Sequence, residues 1–379
     1  MTDFENFASV FSWRYSSPKM RKIFSEVNRR KTWRRVWVAL AKAQSKAGLI
    51  SARQLKDIEK NSENIDMISS LKLEEEIKHD LMAELKTFAK QAKVGGGKIH
   101  IGATSQDIED NSDAIIYLQA IEIVEVSIKK LLKEFLVKIN EYCNFVCMGY
   151  THLQAAEPTT LGYRFANYAQ DLIIDFETLT FVKVLVKGKG TKGAVGTSAS
   201  YLQLLGKRAQ KMEEDFAKEL GLHLFEATTQ VTPRKIDYLV LSSLASIAQS
   251  LHRFAFDVRL MQSSGFSEWA EPFAKNQIGS SAMPFKKNPI ISEKICSLAR
   301  YISSLPKVAW DVAANSHLER TLDDSAARRI IIPESFLAID EILEKTTSVL
   351  AGLVIKKENI KRNLEKYGPF STIEQILMA

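Results

Sequence analysis

The sequence predicts an all-α protein, with a long central helical bundle and smaller helical domains at its ends. Three observations lead there. Apolar residues recur at three- and four-residue steps over most of the 379 residues, the period of a helix with one buried stripe. No strand–helix–strand alternation occurs, which argues against a doubly wound parallel sheet. The longest pattern covers about 30 residues, roughly 45 Å of helix at ~1.5 Å per residue. Long helices joined by short connections make an extended bundle.

Along the chain, Arg29-Arg30-Lys31 and Arg34-Arg35 alternate with Trp33 and Trp37 at helical spacing and read as the solvated face of an amphipathic helix. Gly95-Gly96-Gly97 is a loop. Ile99 stands where a phosphate loop would need Ser or Thr, and no strand precedes it. From Asp113 to about Tyr142 there is neither Pro nor Gly, and Ile121, Val124, Ile128, Leu131, Phe135 and Ile139 form one stripe. Helical patterns follow over 159–186 and 201–220, separated by a glycine-rich loop from Gly188 to Gly196. Thr232-Pro233 reads as the N-cap and first position of another helix. In it Val240, Leu244, Ile247, Leu251, Phe254, Val258 and Met261 alternate steps of four and three, an apolar seam suited to assembly. Asn288-Pro289 is a good cap and first turn for a helix over 289–316, and a last pattern covers 333–354. The domains expected are an N-terminal helical domain over 1–104, the central bundle over 105–355, and the start of an incomplete C-terminal helical domain over 356–379.

Composition narrows the class. Three cysteines, Cys143, Cys147 and Cys296, argue against a disulfide framework and suit a reducing cytoplasm. Cys143 and Cys147, four apart, are expected as two small buried residues on one helix face. The N-terminus lacks a basic stretch followed by an apolar run, so no signal peptide is expected. No apolar run approaches the ~20 residues of a membrane span. The net charge of +7 suits a small polyanionic partner as well as nucleic acid.

The most informative stretch runs from Gln277 to Pro289, QIGSSAMPFKKNP. A flexible Gly-Ser-Ser segment empties onto a helix N-terminus, where N–H groups and the dipole favour an anion, and Lys286 adds a full charge. This string resembles the signature loop of the fumarase/aspartase superfamily at every fixed position. Two further regions of that superfamily stand in order: His100 with Gly102 to Asp107, and Thr151-His152-Leu153-Gln154 with Pro158-Thr159-Thr160 and Arg164. Other features are similar to the adenylosuccinate lyase branch, most of all to the part that includes animal enzymes. They are Arg14-Tyr15, His79-Asp80, Gln230 before Thr232, Arg234-Lys235, and Glu319 to Ser325 with Arg328-Arg329.

The resemblance implies an elimination of fumarate from a succinylated purine nucleotide and its precursor, with no metal or organic cofactor. The site must stabilise a doubly charged aci-carboxylate. By that likeness Ser280 is the general base, assisted by Lys286, and His152 is the general acid, oriented by Glu293. Imidazole titrates near neutrality and suits that task. His79 and His100 would contact the nucleotide phosphate and the succinyl part. Arg14, Tyr15, Arg320, Ser325 and Arg329 would hold the phosphate and ribose, and Thr104, Ser105, Gln230, Lys286 and Asn288 the succinyl group and base. Lys78, beside His79-Asp80, and Lys294, after Glu293, stand where the branch usually has arginine. They keep the charge but lose the planar fork. The family also implies a homotetramer whose sites are shared between copies, with small-molecule substrates and neither nucleic acid nor membrane as partner. A lyase for argininosuccinate or fumarate is a second reading, against which Arg14-Tyr15 and Arg320 to Arg329 speak, since those substrates carry no phosphate. A catalytically silent relative is a third, against which the joint presence of Ser280, His152, Lys286 and Glu293 speaks.

Overall fold

The computed structural model describes residues 5–283 and 285–379. Serine caps punctuate its first part. Helices α1 (Val10–Trp13), α2 (Pro18–Ile23) and α3 (Glu26–Lys46) follow Ser9, Ser17 and Ser25, each of whose hydroxyls accepts a first-turn N–H. A capping box of Ser51 and Gln54 opens α4 (Ala52–Asn61), and α5 (Met67–Ile77) and α6 (Asp80–Gln91) complete the region. The basic run on α3 is the solvated face its spacing suggests only in part, since Lys31 and Arg35 are exposed but Arg30 and Arg34 are not. Arg30 and Arg34 are buried at 1% and 0% exposure. Arg34 Nε donates to Glu84 at 2.7 Å and its Nη1 to the carbonyls of Asn61 and Asn64 at 2.9 Å. Charges this deep persist only when paired, and Glu84, fully buried, supplies the pairing.

Helix α7 (Ser105–Glu141) starts at Ser105 and not at Asp113, on a capping box of Thr104 and Asp107. Its first turns bury Gln106, Asp107, Asp110, Asn111 and Ser112, polar residues that apolar periodicity does not register. An antiparallel hairpin follows, β1 (Val146–Thr151) with β2 (Gln154–Thr160), which the helical patterns did not foreshadow. Cys143 is exposed beyond the end of α7 and Cys147 is buried on β1, so the two do not share a helix face.

Helix α8 (Leu161–Leu185) agrees with its expected span, whereas the pattern over 201–220 splits into α9 (Ala199–Leu205) and α10 (Arg208–Leu220) around Gly206 at φ +54°. Helix α11 (Lys235–Gln262) begins after Arg234. Thr232 does not cap it: its N–H donates to Asp110 at 2.7 Å and its hydroxyl accepts from Arg234 at 3.2 Å. The short strand β3 (Trp269–Ala270) precedes α12 (Ile290–Ala314) and α13 (Asp323–Ala351). Pro333, expected to open the last pattern, lies inside α13, whose first turns again bury a polar residue, Asp324. Strand β4 (Val354–Ile355) pairs with β3, and α14 (Lys357–Met378) lies against the hairpin.

Helix α11 occupies the middle, packed on α8, α12 and α13, while α7 rests on α3, α8 and α13. The seven seam residues from Val240 to Met261 are all buried within the chain. That seam is therefore spent on internal packing and is not left for assembly. Exposed apolar side chains lie elsewhere, at Val126, Leu136 and Val137 on α7 and at Ile174, Phe181 and Val184 on α8. No helix among the described residues is long and apolar enough to cross a membrane.

Candidate active site

One group of the expected residues assembles where the starts of α6 and α7 meet the start of α13. His79 is the N-cap of α6, and its Nε2 lies 3.4 Å from the Ser105 hydroxyl at the first position of α7. Asp80 accepts the Leu81 N–H at 2.8 Å and the Arg329 guanidinium at 2.5 Å. Burial alone would raise the Asp80 carboxyl, but Arg329 holds it below the usual carboxylate range. Lys78 ends α5 in the left-handed region at φ +56°. Thr104 Oγ1 accepts from Gln230 Nε2 at 2.8 Å, and Gln230 Oε1 in turn accepts the Val195 N–H at 2.7 Å. The Gln230 N–H donates to the Glu319 carbonyl at 3.2 Å, which ties this group to Arg320. Arg320, Ser325 and Arg329 line one cavity with Arg29, Gln106 and Glu109. The Arg320 Nε is buried there with no hydrogen-bond partner among the described residues.

His100 joins this group through its neighbour His79. Its Nδ1 accepts the Trp37 indole N–H at 3.0 Å. Burial, and next the charge of His79, lowers its pKa to about 4. Glu109 moves the other way, to about 8, because burial and the carboxylates of Asp80, Asp113 and Asp110 outweigh Arg320. Nothing in the sequence motifs marks Glu109 beyond its place one turn after Ser105 on the same helix face. Trp37 lies 63 residues from His100 and carries no signal of that contact.

Tyr15 belongs to a second group. Lys294 Nζ sits 5.3 Å from its ring centroid and 2.7 Å from Glu341, which also accepts the Ser16 N–H at 2.9 Å. Arg14 is exposed, over the Trp13 ring at 5.6 Å.

The loop before α12 forms a third group. Ser280 Oγ accepts the N–H groups of Ala282 and Met283 at 3.4 and 3.2 Å. Asn288 does not cap α12, since its Nδ2 donates to the Gly279 carbonyl at 3.0 Å. The N-terminus of α12 is filled by Glu271, whose carboxylate accepts the N–H groups of Ile291 and Ser292 at 3.0 Å each and the Ser292 hydroxyl at 2.9 Å. The anion site expected at this helix end is thus occupied by the chain's own carboxylate. Gln262 pins both ends of the loop, accepting the Glu271 N–H at 2.8 Å and donating to the Lys287 carbonyl at 2.9 Å. Lys286 and Glu293 are exposed. Pro284, within the signature string, lies outside the described residues.

His152 stands apart. It and Leu153 form the hairpin tip, exposed, both in the left-handed region at φ +54° and +60°. Two positive φ values match the twist of a two-residue hairpin turn but cost strain for residues other than glycine. Among the described residues no hydrogen bond, ion pair or ring contact joins His152 to Ser280, Glu293, His79 or His100.

Residues 13–303 match the family described as Lyase. The adenylosuccinate lyase of Schistosoma mansoni is 35% identical over all of this chain and 80% of its own length. That of Saccharomyces cerevisiae is 37% identical over the same shares. The Pyrococcus horikoshii adenylosuccinate lyase is 37% identical over 93% of this chain and 78% of its own. Among solved structures, a fumarate lyase from Mesorhizobium sp. BNC1 has a TM-score of 0.87 at 24% identity, covering 98% of this chain and 83% of that one. The likeness to that structure bears on the fold alone, and it is the helical bundle described above.

Proposed function

The chain belongs to the adenylosuccinate lyase family, and from that membership we propose that it eliminates fumarate from adenylosuccinate, leaving AMP, and from SAICAR, leaving AICAR. Both reactions belong to purine biosynthesis. A base takes the proton from the carbon beside one carboxylate. The electron pair becomes the double bond of fumarate, the C–N bond breaks, and an acid returns a proton to the leaving nitrogen.

Ser280 is the base in this reading. Two backbone N–H groups already point at its Oγ, and donors to an anionic oxygen favour the deprotonated form. Lys286, on the same loop, adds positive charge. Expulsion of water on loop closure would strengthen both effects. His152 is the acid, and Glu293 orients it. Because His152 lies at a hairpin tip away from Ser280, the complete site draws on other copies of the chain. The homotetramer is the assembly that does so, and the exposed apolar residues of α7 and α8 offer it a surface. Arg320, Ser325 and Arg329 take the phosphate, and Thr104, Ser105 and Gln230 the succinyl part, with Asp80 holding Arg329 in place.

The observation that carries this reading is that hydrogen bonds gather four separated segments, His79-Asp80, Thr104-Ser105, Gln230 and Glu319 to Arg329, beside a cavity that Arg320, Ser325 and Arg329 line. A substrate without phosphate has no use for that cavity. The test is the absorbance change on mixing the purified protein with adenylosuccinate, argininosuccinate or fumarate. Turnover confined to argininosuccinate or fumarate would overturn the assignment.

A further inference from the structure

We propose that Trp37 is a positioning residue for His100, fixing the imidazole tautomer that carries its proton on Nε2 so that His100 serves the site as a hydrogen-bond donor. An indole N–H only donates. At 3.0 Å from Nδ1 it therefore meets a lone pair, and the ring's own proton must sit on the other nitrogen. The geometry leaves little freedom. Trp37 is fully buried, its ring meets the imidazole edge to face at 79° with centroids 6.0 Å apart, and it packs on Phe88. The Nε2 atom, by contrast, has no hydrogen-bond partner among the described residues.

Burial and the proximity of His79 disfavour the imidazolium, and the indole donor adds to this, because it bonds only the neutral form of Nδ1. His100 consequently stays a neutral donor across the working pH range. It does not compete with His152 for the role of acid. A neutral N–H suits a carboxylate oxygen of the succinyl group, which it can bond without changing charge as the reaction proceeds. The inference rests on the reading of His100 as a substrate contact.

The experiment is 15N NMR of the histidine ring nitrogens in the wild-type protein and in Trp37→Phe, with steady-state kinetics of both. The wild-type spectrum should show the proton on Nε2 and no titration of His100 between pH 5 and 9. Trp37→Phe should release Nδ1, so that the ring proton is shared between the two nitrogens. KM should then rise about three- to tenfold with kcat nearly unchanged, the loss expected from one compromised hydrogen bond. A wild-type proton on Nδ1 would overturn the proposal even if the variant fails to fold. An unchanged tautomer in a folded Trp37→Phe would overturn it too. The expected spectra with wild-type KM in both Trp37→Phe and His100→Ala would instead remove the substrate contact on which the proposal rests.

Discussion

At Glu109, burial and the neighbouring carboxylates of Asp80, Asp113 and Asp110 outweigh Arg320, and the carboxyl keeps its proton up to about pH 8. The linkage has a definite sign. An acid whose folded pKa lies above its unfolded value binds more protons in the native state, so stability falls as pH rises from about 4.5 to about 8 and levels off above. Glu109→Gln removes that slope. Urea unfolding at pH 5, 7 and 9 should show a variant whose advantage grows with pH, reaching on the order of a few kcal/mol. Parallel curves would place Glu109 in a more hydrated setting. At Ser280, substitution by Ala should lower kcat by about two to four decades, the range for a positioned base, while substrate still binds. Retained activity there, with Ser281→Ala inactive, would reassign the base within the pair. Residue-scale legibility divides along the same line. His79, Thr104, Ser105 and Arg329 could be singled out because each lies in a motif of neighbours in sequence, and the structure brings them into one group. Trp37 and Glu109 could not be, because each acquires its chemistry from partners brought near only by folding.

Among the elements, α12 shows what pattern reading misses. Asn288-Pro289 looked like its cap, yet the helix start is held by Glu271, whose carboxylate reaches it from across the loop. Glu271→Ala should leave those donors unpaired and cost about 2 kcal/mol. Glu271→Gln, which keeps one acceptor oxygen, should cost less. Urea midpoints for the two variants check the order, and equal midpoints would mean that water replaces the cap. The central helices were legible because their apolar stripes are continuous. The early turns of α7 and α13 were not, since what they bury is polar: Asp107 with Lys189 at 2.7 Å, and Asp324 with Arg234 at 2.7 Å. The hairpin escaped notice for a different reason. Its turn uses His152 and Leu153, neither of which is a turn former by propensity.

For the whole molecule, the fold class followed from periodicity alone, whereas the grouping of site residues could not, because it depends on which loops meet. The structure joins His79, Asp80, Thr104, Ser105, Gln230 and Arg329 in one group and leaves Tyr15, the Ser280 loop and the His152 hairpin outside it. If the complete site is shared, mixing inactive Ser280→Ala with inactive His152→Ala chains should restore part of the activity, since some hybrid sites contain both intact residues. No recovery after verified exchange would show that each chain works alone. The isolated hairpin tip also has a consequence for how the enzyme behaves in a cuvette. If Ser280 and His152 act together only across copies, the reaction order in protein is greater than one. On dilution below the point at which copies part, each chain keeps its fold and its arginine-lined cavity, yet the rate per milligram should fall. Adding back an inactive double variant, Ser280→Ala with His152→Ala, should not restore it, whereas adding either single variant should. A specific activity that stays flat on dilution until the protein is verifiably monomeric would mean that the hairpin reaches its own chain's loop.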